Sequence, residues 1–361
     1  ILQHVDTPGS IERGAEKILT AVRRPIAIED GAFDVRGSLG IAVYPEAGDT
    51  PDALVTAADT AMYRAKQAGG DRYAFHTSEL NESVQERWFL LHELREAEQR
   101  DELEIHLQPI VDARNATLTG AEAVLRWHNG QHGWIEPQRF IPLAEETGRI
   151  REIGLAALRE ACCHAAAWQS RGLAVPPLAV NTSSVQIETP GFADSVLQIL
   201  DETGLAPAAL VIEMTETTFM ADHQHGSPAL ERLRRHGVRI AIDDFGTGYS
   251  SLGYLKRFPA DRIKLDREFV SDLEHDPANV AIVESVVALG RAFDSTVVAE
   301  GVERREEALM LARLGVTELQ GFFFGAPMPP ARFEQEWLRY ATVERGNTRA
   351  DPERPDGSGA A

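Results

Sequence analysis

From Leu103 to about Tyr340, short apolar runs of buried-strand character alternate with amphipathic stretches of helical period, and few folds tolerate that alternation. The runs are Ile105 to Val111, Leu118 to Trp127, Leu178 to Asn181, Leu210 to Met214, Ile240 to Asp243, Arg262 to Leu265, Val297 to Ala299 and Leu319 to Phe324. Between most of them lie helical patterns: Pro137 to Thr147, Ile153 to Gln169, Ala229 to His236, Val280 to Phe293 and Arg305 to Leu314. About eight strands in roughly 240 residues is the size of a (β/α)8 barrel, so the expected class is α/β.

Polar groups recur where the apolar runs stop. Asn181 follows Leu-Ala-Val, Glu213 follows Leu-Val-Ile, Asp243 and Asp244 follow Ile-Ala-Ile, Lys264 follows Arg-Ile, Glu300 follows Val-Val-Ala, and Gln320 follows Leu319. Strand C-terminal ends converge on one face of a barrel, so these side chains are expected to meet in one pocket. Carboxylates and amides with one lysine make a hard-oxygen cage suited to Mg2+ or Mn2+ rather than zinc. The stretch Arg239 to Leu252 is the most telling. Two adjacent carboxylates at a strand end repel each other and resist desolvation unless cations neutralise them; the other reading is that both cap the helix after the glycine-bearing loop. Taken singly, Asn181 could cap a turn and Lys264 could be an ordinary ion-paired lysine. Asp222-His-Gln-His225 reads as a solvated loop in preference to a metal site.

Charge narrows the partners. The formal net charge is −20, from 36 basic and 56 acidic residues, which argues against a nucleic-acid polymer or an anionic membrane as the main partner. A small phosphate ligand remains compatible if metals and a few placed cations reverse the field locally. The two cysteines, Cys162 and Cys163, are adjacent in a helical stretch where a disulfide between them would be strained, and fit a reducing compartment. No run of about 18 apolar residues and no signal-peptide pattern occur, so a cytoplasmic setting is expected. The chain starts at Ile1, which suggests a piece of something longer whose upstream part could tether it to a membrane.

Before the barrel, residues 1–76 carry a helical stretch (Ile11 to Val22), a hairpin-like pair of strands around Ala27 to Tyr44, and a helix that Thr50 can cap, Pro51 can start and Gly69-Gly70 can end. Residues 77–102 read as a connecting helix, with Val84, Trp88, Leu91 and Leu94 in phase; 103–342 are the barrel; 343–361, polar and rich in Pro and Gly, are expected to be a disordered tail. The segments Arg36 to Glu46 and Ala57 to His76 resemble the C-terminal end of a GGDEF domain, the fold of diguanylate cyclases. The Gly-Gly-Asp/Glu-Glu-Phe hairpin that names that family is found nowhere in the chain, so no cyclase activity is assigned.

From about Leu107 to Met328 the chain resembles an EAL domain, the cyclic di-GMP phosphodiesterase module. The resemblance is carried by Gln108-Pro-Ile, Glu122-Ala-Val-Leu-Arg-Trp, Arg139-Phe-Ile-Pro-Leu-Ala-Glu-Glu-Thr-Gly, Asn181-Thr-Ser, Glu213-Met-Thr-Glu216, Asp243 to Leu252, Lys264-Leu-Asp266, Ala299-Glu-Gly-Val-Glu303 and Gln320-Gly-Phe-Phe-Phe-Gly. It implies metal ligation by Glu122, Asn181, Glu213, Asp243, Asp244 and Glu300, with Asp243 bridging two Mg2+ or Mn2+ ions. It implies an attacking water contacted by Lys264, whose pKa neighbouring cations would lower, and catalytic roles for Glu122, Asp243, Asp244 and Glu300. It also implies substrate contacts from Gln108, Arg126 and Gln320, and support from Glu216, Glu303 and Asp266. The implied reaction opens cyclic di-GMP to linear pGpG, in a homodimer formed through the barrel. The alternative is a receptor that binds cyclic di-GMP without cutting it. The signature triplet reads Glu122-Ala-Val124, with valine for leucine, and no charged or amide member of the set is missing.

Overall fold

The computed structural model describes residues 8–24, 26–28, 31–33, 36–76, 78–221, 228–246 and 260–339. The loop after Gly246 up to residue 259, the Asp222-His-Gln-His225 segment and the 343–361 tail lie outside the described residues. Two compact units divide the chain, Ile1–Glu93 and Leu94–Ala361.

In the first unit, strands β1 (Ile26–Ile28) and β2 (Gly31–Phe33) pair antiparallel, and β3 (Leu39–Ile41) pairs parallel with β4 (Tyr73–Phe75). The helix Pro51–Gln67 starts as its sequence demands: the Ala53 N–H donates to Thr50 Oγ1 at 3.3 Å and Pro51 occupies the first turn. Its stripe of Ala57, Ala61 and Ala65 is buried. The small stripe matters because a Cβ on Gly40 of β3 would lie 1.9 Å from the Ala58 carbonyl oxygen, so helix and strand touch backbone to backbone. The next helix, Ser78–Ala97, stops four residues before Asp101, and Leu90, Leu94 and Ala97 bury its far end.

In the second unit eight strands close into a barrel. They are β5 (Leu103–Asp112), β6 (Leu118–Asn129), β8 (Leu178–Asn181), β9 (Leu210–Thr215), β10 (Arg239–Phe245), β11 (Arg262–Leu265), β12 (Thr296–Ala299) and β13 (Glu318–Gln320). From β6 through β13 neighbours run parallel, whereas β5 is antiparallel to both β13 and β6. The simple βα alternation is broken there because only residues 113–117 join β5 to β6, too few for the crossover that parallel strands need. Strand β6 outlasts its neighbour: β8 pairs with it over Ala121–Ala123, and a short extra strand, β7 (Gly133–Ile135), takes the same edge over Trp127–Asn129.

Two further differences from the sequence expectation have local causes. The run Leu319 to Phe324 is strand only to Gln320. A Cβ on Gly321 would sit 2.1 Å from the Val302 carbonyl oxygen, and the bonds Val302 N–H to Gln320 O (3.1 Å) and Phe323 N–H to Val302 O (3.0 Å) fold the chain over the loop after β12. The helix Phe192–Thr203, not singled out in the sequence, is bounded by Gly191 and Gly204 at positive φ and buries Val196, Ile199 and Leu200.

Helices Pro137–Glu146, Ile150–Ser170, Pro277–Phe293 and Arg305–Leu314 cover the barrel, and Ile105, Leu107, Ala121, Ala123 and Ile212 face the shared apolar core. At the strand N-terminal ends, buried Arg262 pairs with Glu318 (Nε to Oε2 3.1 Å, Nη2 to Oε1 3.1 Å). On Ile150–Ser170, Cys162 is buried and Cys163 exposed, both free. Burial, then the neighbouring Cys163, pushes the Cys162 thiol up to about 12, so a maleimide or disulfide reagent at pH 8 is expected to modify one thiol in the native protein and two after denaturation. Modification of both native thiols at equal rates would contradict this packing. No described helix is long and apolar enough to cross a membrane.

Candidate active site at the strand C-terminal ends

Parallel register sets the heights of the polar groups. Asn181 is opposite Glu213, Ala241 is opposite Glu213 one strand on, and Glu122 is opposite Gln108 across the antiparallel pair. Lys264, 1% exposed, stands at the centre of the ring these strands make. Its Nζ lies 2.6 Å from Glu300 Oε1, 3.0 Å from Glu213 Oε2, 3.2 Å from Glu122 Oε2 and 3.2 Å from Asp243 Oδ1. Four carboxylates from β6, β9, β10 and the end of β12 thus converge on one ammonium.

Amides hold the ring in place. Asn181 Nδ2 donates to Glu122 Oε1 at 2.6 Å, and Gln320 Nε2 donates to Glu122 Oε2 at 2.6 Å and to Gln108 Oε1 at 3.0 Å. Gln108 Nε2 donates in turn to the Gly325 carbonyl at 3.1 Å. Asp244 sits in the left-handed region at φ +53° with its N–H on Asp243 Oδ1 at 3.1 Å, which turns the second aspartate away from the strand direction. Glu216 Oε2 receives the Gly246 N–H at 2.9 Å and so pins the chain just past the aspartate pair. Asp266 caps the short helix Arg267–Val270 through the Glu268 N–H (2.7 Å) and hydrogen-bonds the Asp244 carboxyl. Glu303 pairs with Arg267 at 2.7 Å, near the mouth. Arg126 lies two strand positions beyond Val124 on the face that carries Glu122, and its Nη1 donates to the Leu125 carbonyl at 3.0 Å.

Charge is unbalanced here. Burial alone would push Lys264 down, yet Asp243, Glu122, Glu213 and Glu300 together hold it well above the ordinary lysine value, so the protein's own groups keep it an ammonium rather than a neutral base. Burial raises the carboxylates in turn. Glu213 is pushed up to about 8, helped by Glu122 and Asp243; Asp244 rises to about 6, helped by Asp243 and Asp266; Asp243 is raised and Glu300 raised strongly. Glu122 goes the other way, because Lys264 and the hydrogen bonds from Gln320, Lys264 and Asn181 outweigh its burial.

Such a set fits divalent cations. Glu213 Oε1 is buried without a hydrogen-bond partner, and Asp243, Asp244 and Glu300 each offer an oxygen within 4.8 Å of the others. Hard oxygen donors with surplus negative charge suit Mg2+ or Mn2+. Two residues not foreseen from sequence line the open pocket beside this ring. Arg267 immediately follows Lys264-Leu-Asp266, and Phe322, 65% exposed, lies on the turn after Gln320. Placement just past a barrel strand was the available signal for both.

The EAL domain model matches residues 91–327, and the diguanylate cyclase GGDEF domain model matches residues 1–72. The chain is similar to the bifunctional diguanylate cyclase/cyclic di-GMP phosphodiesterase MucR of Pseudomonas aeruginosa, at 46% identity over 315 residues, 87% of this chain and 46% of that protein. It is also similar to the cyclic di-GMP phosphodiesterase PdeR of Escherichia coli, at 36% identity over 342 residues, 94% of this chain and 51% of that protein. The chain therefore spans about half the length of these curated relatives. Among solved structures, the MucR phosphodiesterase in complex with cyclic di-GMP superposes with a TM-score of 0.66 at 48% identity, over 68% of this chain and 99% of that one.

Proposed function

The chain belongs to the EAL domain family, and from that premise we propose that it hydrolyses cyclic di-GMP to linear pGpG with a pair of Mg2+ or Mn2+ ions. The observation that carries the reading is the convergence of Glu122, Glu213, Asp243 and Glu300 on Lys264 at one mouth of the barrel. Glu122, Asn181, Glu213, Asp243, Asp244 and Glu300 would hold the ions. When bound, divalent cations neutralise a phosphodiester and make water nucleophilic near neutral pH.

The remaining steps fall to the chain itself. Asn181 and Gln320 fix both oxygens of Glu122, so this carboxylate cannot rotate away. Gln108 and Gln320 present amides at the pocket wall where a ligand phosphate or base would lie. Lys264, held among the carboxylates, orients the attacking water and carries a proton at Nζ; it becomes a base only if cations offset its four anionic neighbours. Arg126, on the wall beyond Glu122, would hold a phosphate oxygen. Glu216 keeps the backbone after Asp244 in place, while Glu303 steadies Arg267. No observation favours the receptor alternative, which would leave the surplus carboxylates without a purpose. Incubation of the purified protein with cyclic di-GMP and Mg2+ should yield pGpG by mass spectrometry and none after chelation; no pGpG at any protein concentration would end the proposal.

The same reading includes a cytoplasmic setting, supported by the two free thiols, and a homodimer formed through the barrel. Because Glu216, just past β9, holds the Gly246 N–H two residues after Asp244, self-association acting on the chain at the end of β10 is expected to raise activity. Specific activity measured beside sedimentation over a hundredfold concentration range should climb as dimer replaces monomer; equal activity in both forms would count against the coupling.

A further inference from the structure

The inner wall of the mouth continues past the acidic ring. In the β5–β6 ladder Gln108 is opposite Glu122, His106 opposite Val124, and Glu104 opposite Arg126; in the β6–β7 ladder His128 is opposite Trp134. Paired residues point to the same side and the side-chain period along a strand is two, so His106, His128 and Trp134 share the face of Glu122. His106 stands at the level of Val124, about 7 Å along the strand from Glu122, Arg126 about 13 Å, and His128 with Trp134 opposite it about 20 Å, a span the indole shortens by leaning back onto His106.

Trp134 is 55% exposed, yet its ring is not loose. It touches its partner His128 (centroids 4.8 Å apart, planes at 60°) and reaches across β6 to His106 (5.4 Å, 66°). His106 is itself tied to Glu104 through Nε2 and Oε1 at 2.7 Å. An indole braced on two imidazoles and open to water has apolar area to bury and little rotamer freedom left to lose, the condition under which stacking on a planar ring is most favourable. The strand order β13-β5-β6-β7 puts Phe322, just after β13, on the opposite flank of the β5–β6 pair. Phe322 lines the pocket beside the acidic ring, and the Trp134 indole, leaning back onto His106, offers a second aromatic face on the other flank for a ligand with two bases joined through phosphates.

We propose that Trp134, braced by His106 and His128, is the stacking platform for one guanine base of the cyclic dinucleotide and sets specificity for a two-base ligand. This rests on the phosphodiesterase reading. Stacking that is equal in ground and transition states shifts KM with little change in kcat.

The test uses the full chain with Mg2+. Trp134→Ala should raise KM for cyclic di-GMP roughly fivefold to a hundredfold, with kcat within about twofold. Trp134→Phe should stay near the wild-type KM while losing the ligand-induced quench of tryptophan fluorescence. Trp134→Leu keeps bulk without an aromatic face, and decides the matter if the alanine variant fails to fold: a raised KM supports the platform and an unchanged KM overturns it. A folded alanine variant with wild-type KM, beside a wild type that turns over normally, overturns the platform alone. A wild type showing neither turnover nor quench overturns the dinucleotide reading and this proposal with it.

Discussion

Lys264→Ala is expected to lower turnover of cyclic di-GMP by about 10²- to 10⁴-fold, the range for losing a positioned proton-transfer group, while leaving measurable ligand binding. The side chain is fully buried, with all four of its ion-pair partners within 3.2 Å. Deleting it strips the positive centre from a ring of carboxylates that already resist ionisation. Leaving buried charges uncompensated costs about 3–5 kcal/mol in comparable cases, so a lower Tm is expected as well. Stability and chemistry therefore have to be separated. Glu122→Ala removes the one carboxylate of the ring whose ionised form the fold favours, and with it the acceptor for Asn181, Gln320 and Lys264; it should lose turnover to a similar degree and lower Tm as well. Steady-state kinetics beside thermal melts of the two variants make the check. Collapse of turnover in both, measured well below the lowered Tm of each so that the protein is folded, is the expected pattern; near-normal turnover in either would remove that residue from the reaction.

The barrel strands were legible in sequence because a strand covered on both faces reads as an uninterrupted apolar run, and the carboxylates were legible because they interrupt such runs at one end. What escaped the sequence lies where tertiary contacts decide. Strand β5 runs against its neighbours because of a five-residue connection, although its composition matches the rest. Phe322 and Phe323 read as strand on propensity, but Gly321 packed on Val302 turns them outward. Trp134 gives no periodic signal in a three-residue strand, and its side of the sheet follows only once the register with His128 is fixed. The upward pull of the protein's own groups on Lys264 was not legible either: it depends on how many carboxylates lie within contact distance, and four do, while the lowering expected from bound cations concerns the metal-loaded site.

Divalent cation and pH are expected to act on stability together. In the chelated protein Glu213 titrates near 8 and Asp244 near 6, above their ordinary values of 4.5 and 3.8. Between the ordinary and the folded value, each such carboxyl binds more protons in the folded than in the unfolded chain. Stability must therefore fall as pH rises through that window, from about 5 to about 8. One opposing shift falls inside this window: burial holds His164 below its ordinary 6.5, so its term rises with pH there, against the raised Glu213, Asp243, Asp244 and Glu300. Glu122, lowered, contributes a term already complete above its ordinary value of 4.5, and Lys264, raised, one that is constant below 10.5. Cations bind the ionised ligands, so Mg2+ or Mn2+ should bind more tightly at pH 8 than at pH 5 and release protons on binding. At a hundredfold excess over Kd the gain is about 2.7 kcal/mol, or roughly 5–10 °C in Tm for a domain of this size. Melts at pH 5, 6.5 and 8, with chelator and with cation, make the measurement. A Tm that falls with pH in chelator and recovers most in cation at pH 8 is the expected outcome. A cation shift independent of pH would mean that the ion binds elsewhere than among Glu213, Asp243, Asp244 and Glu300.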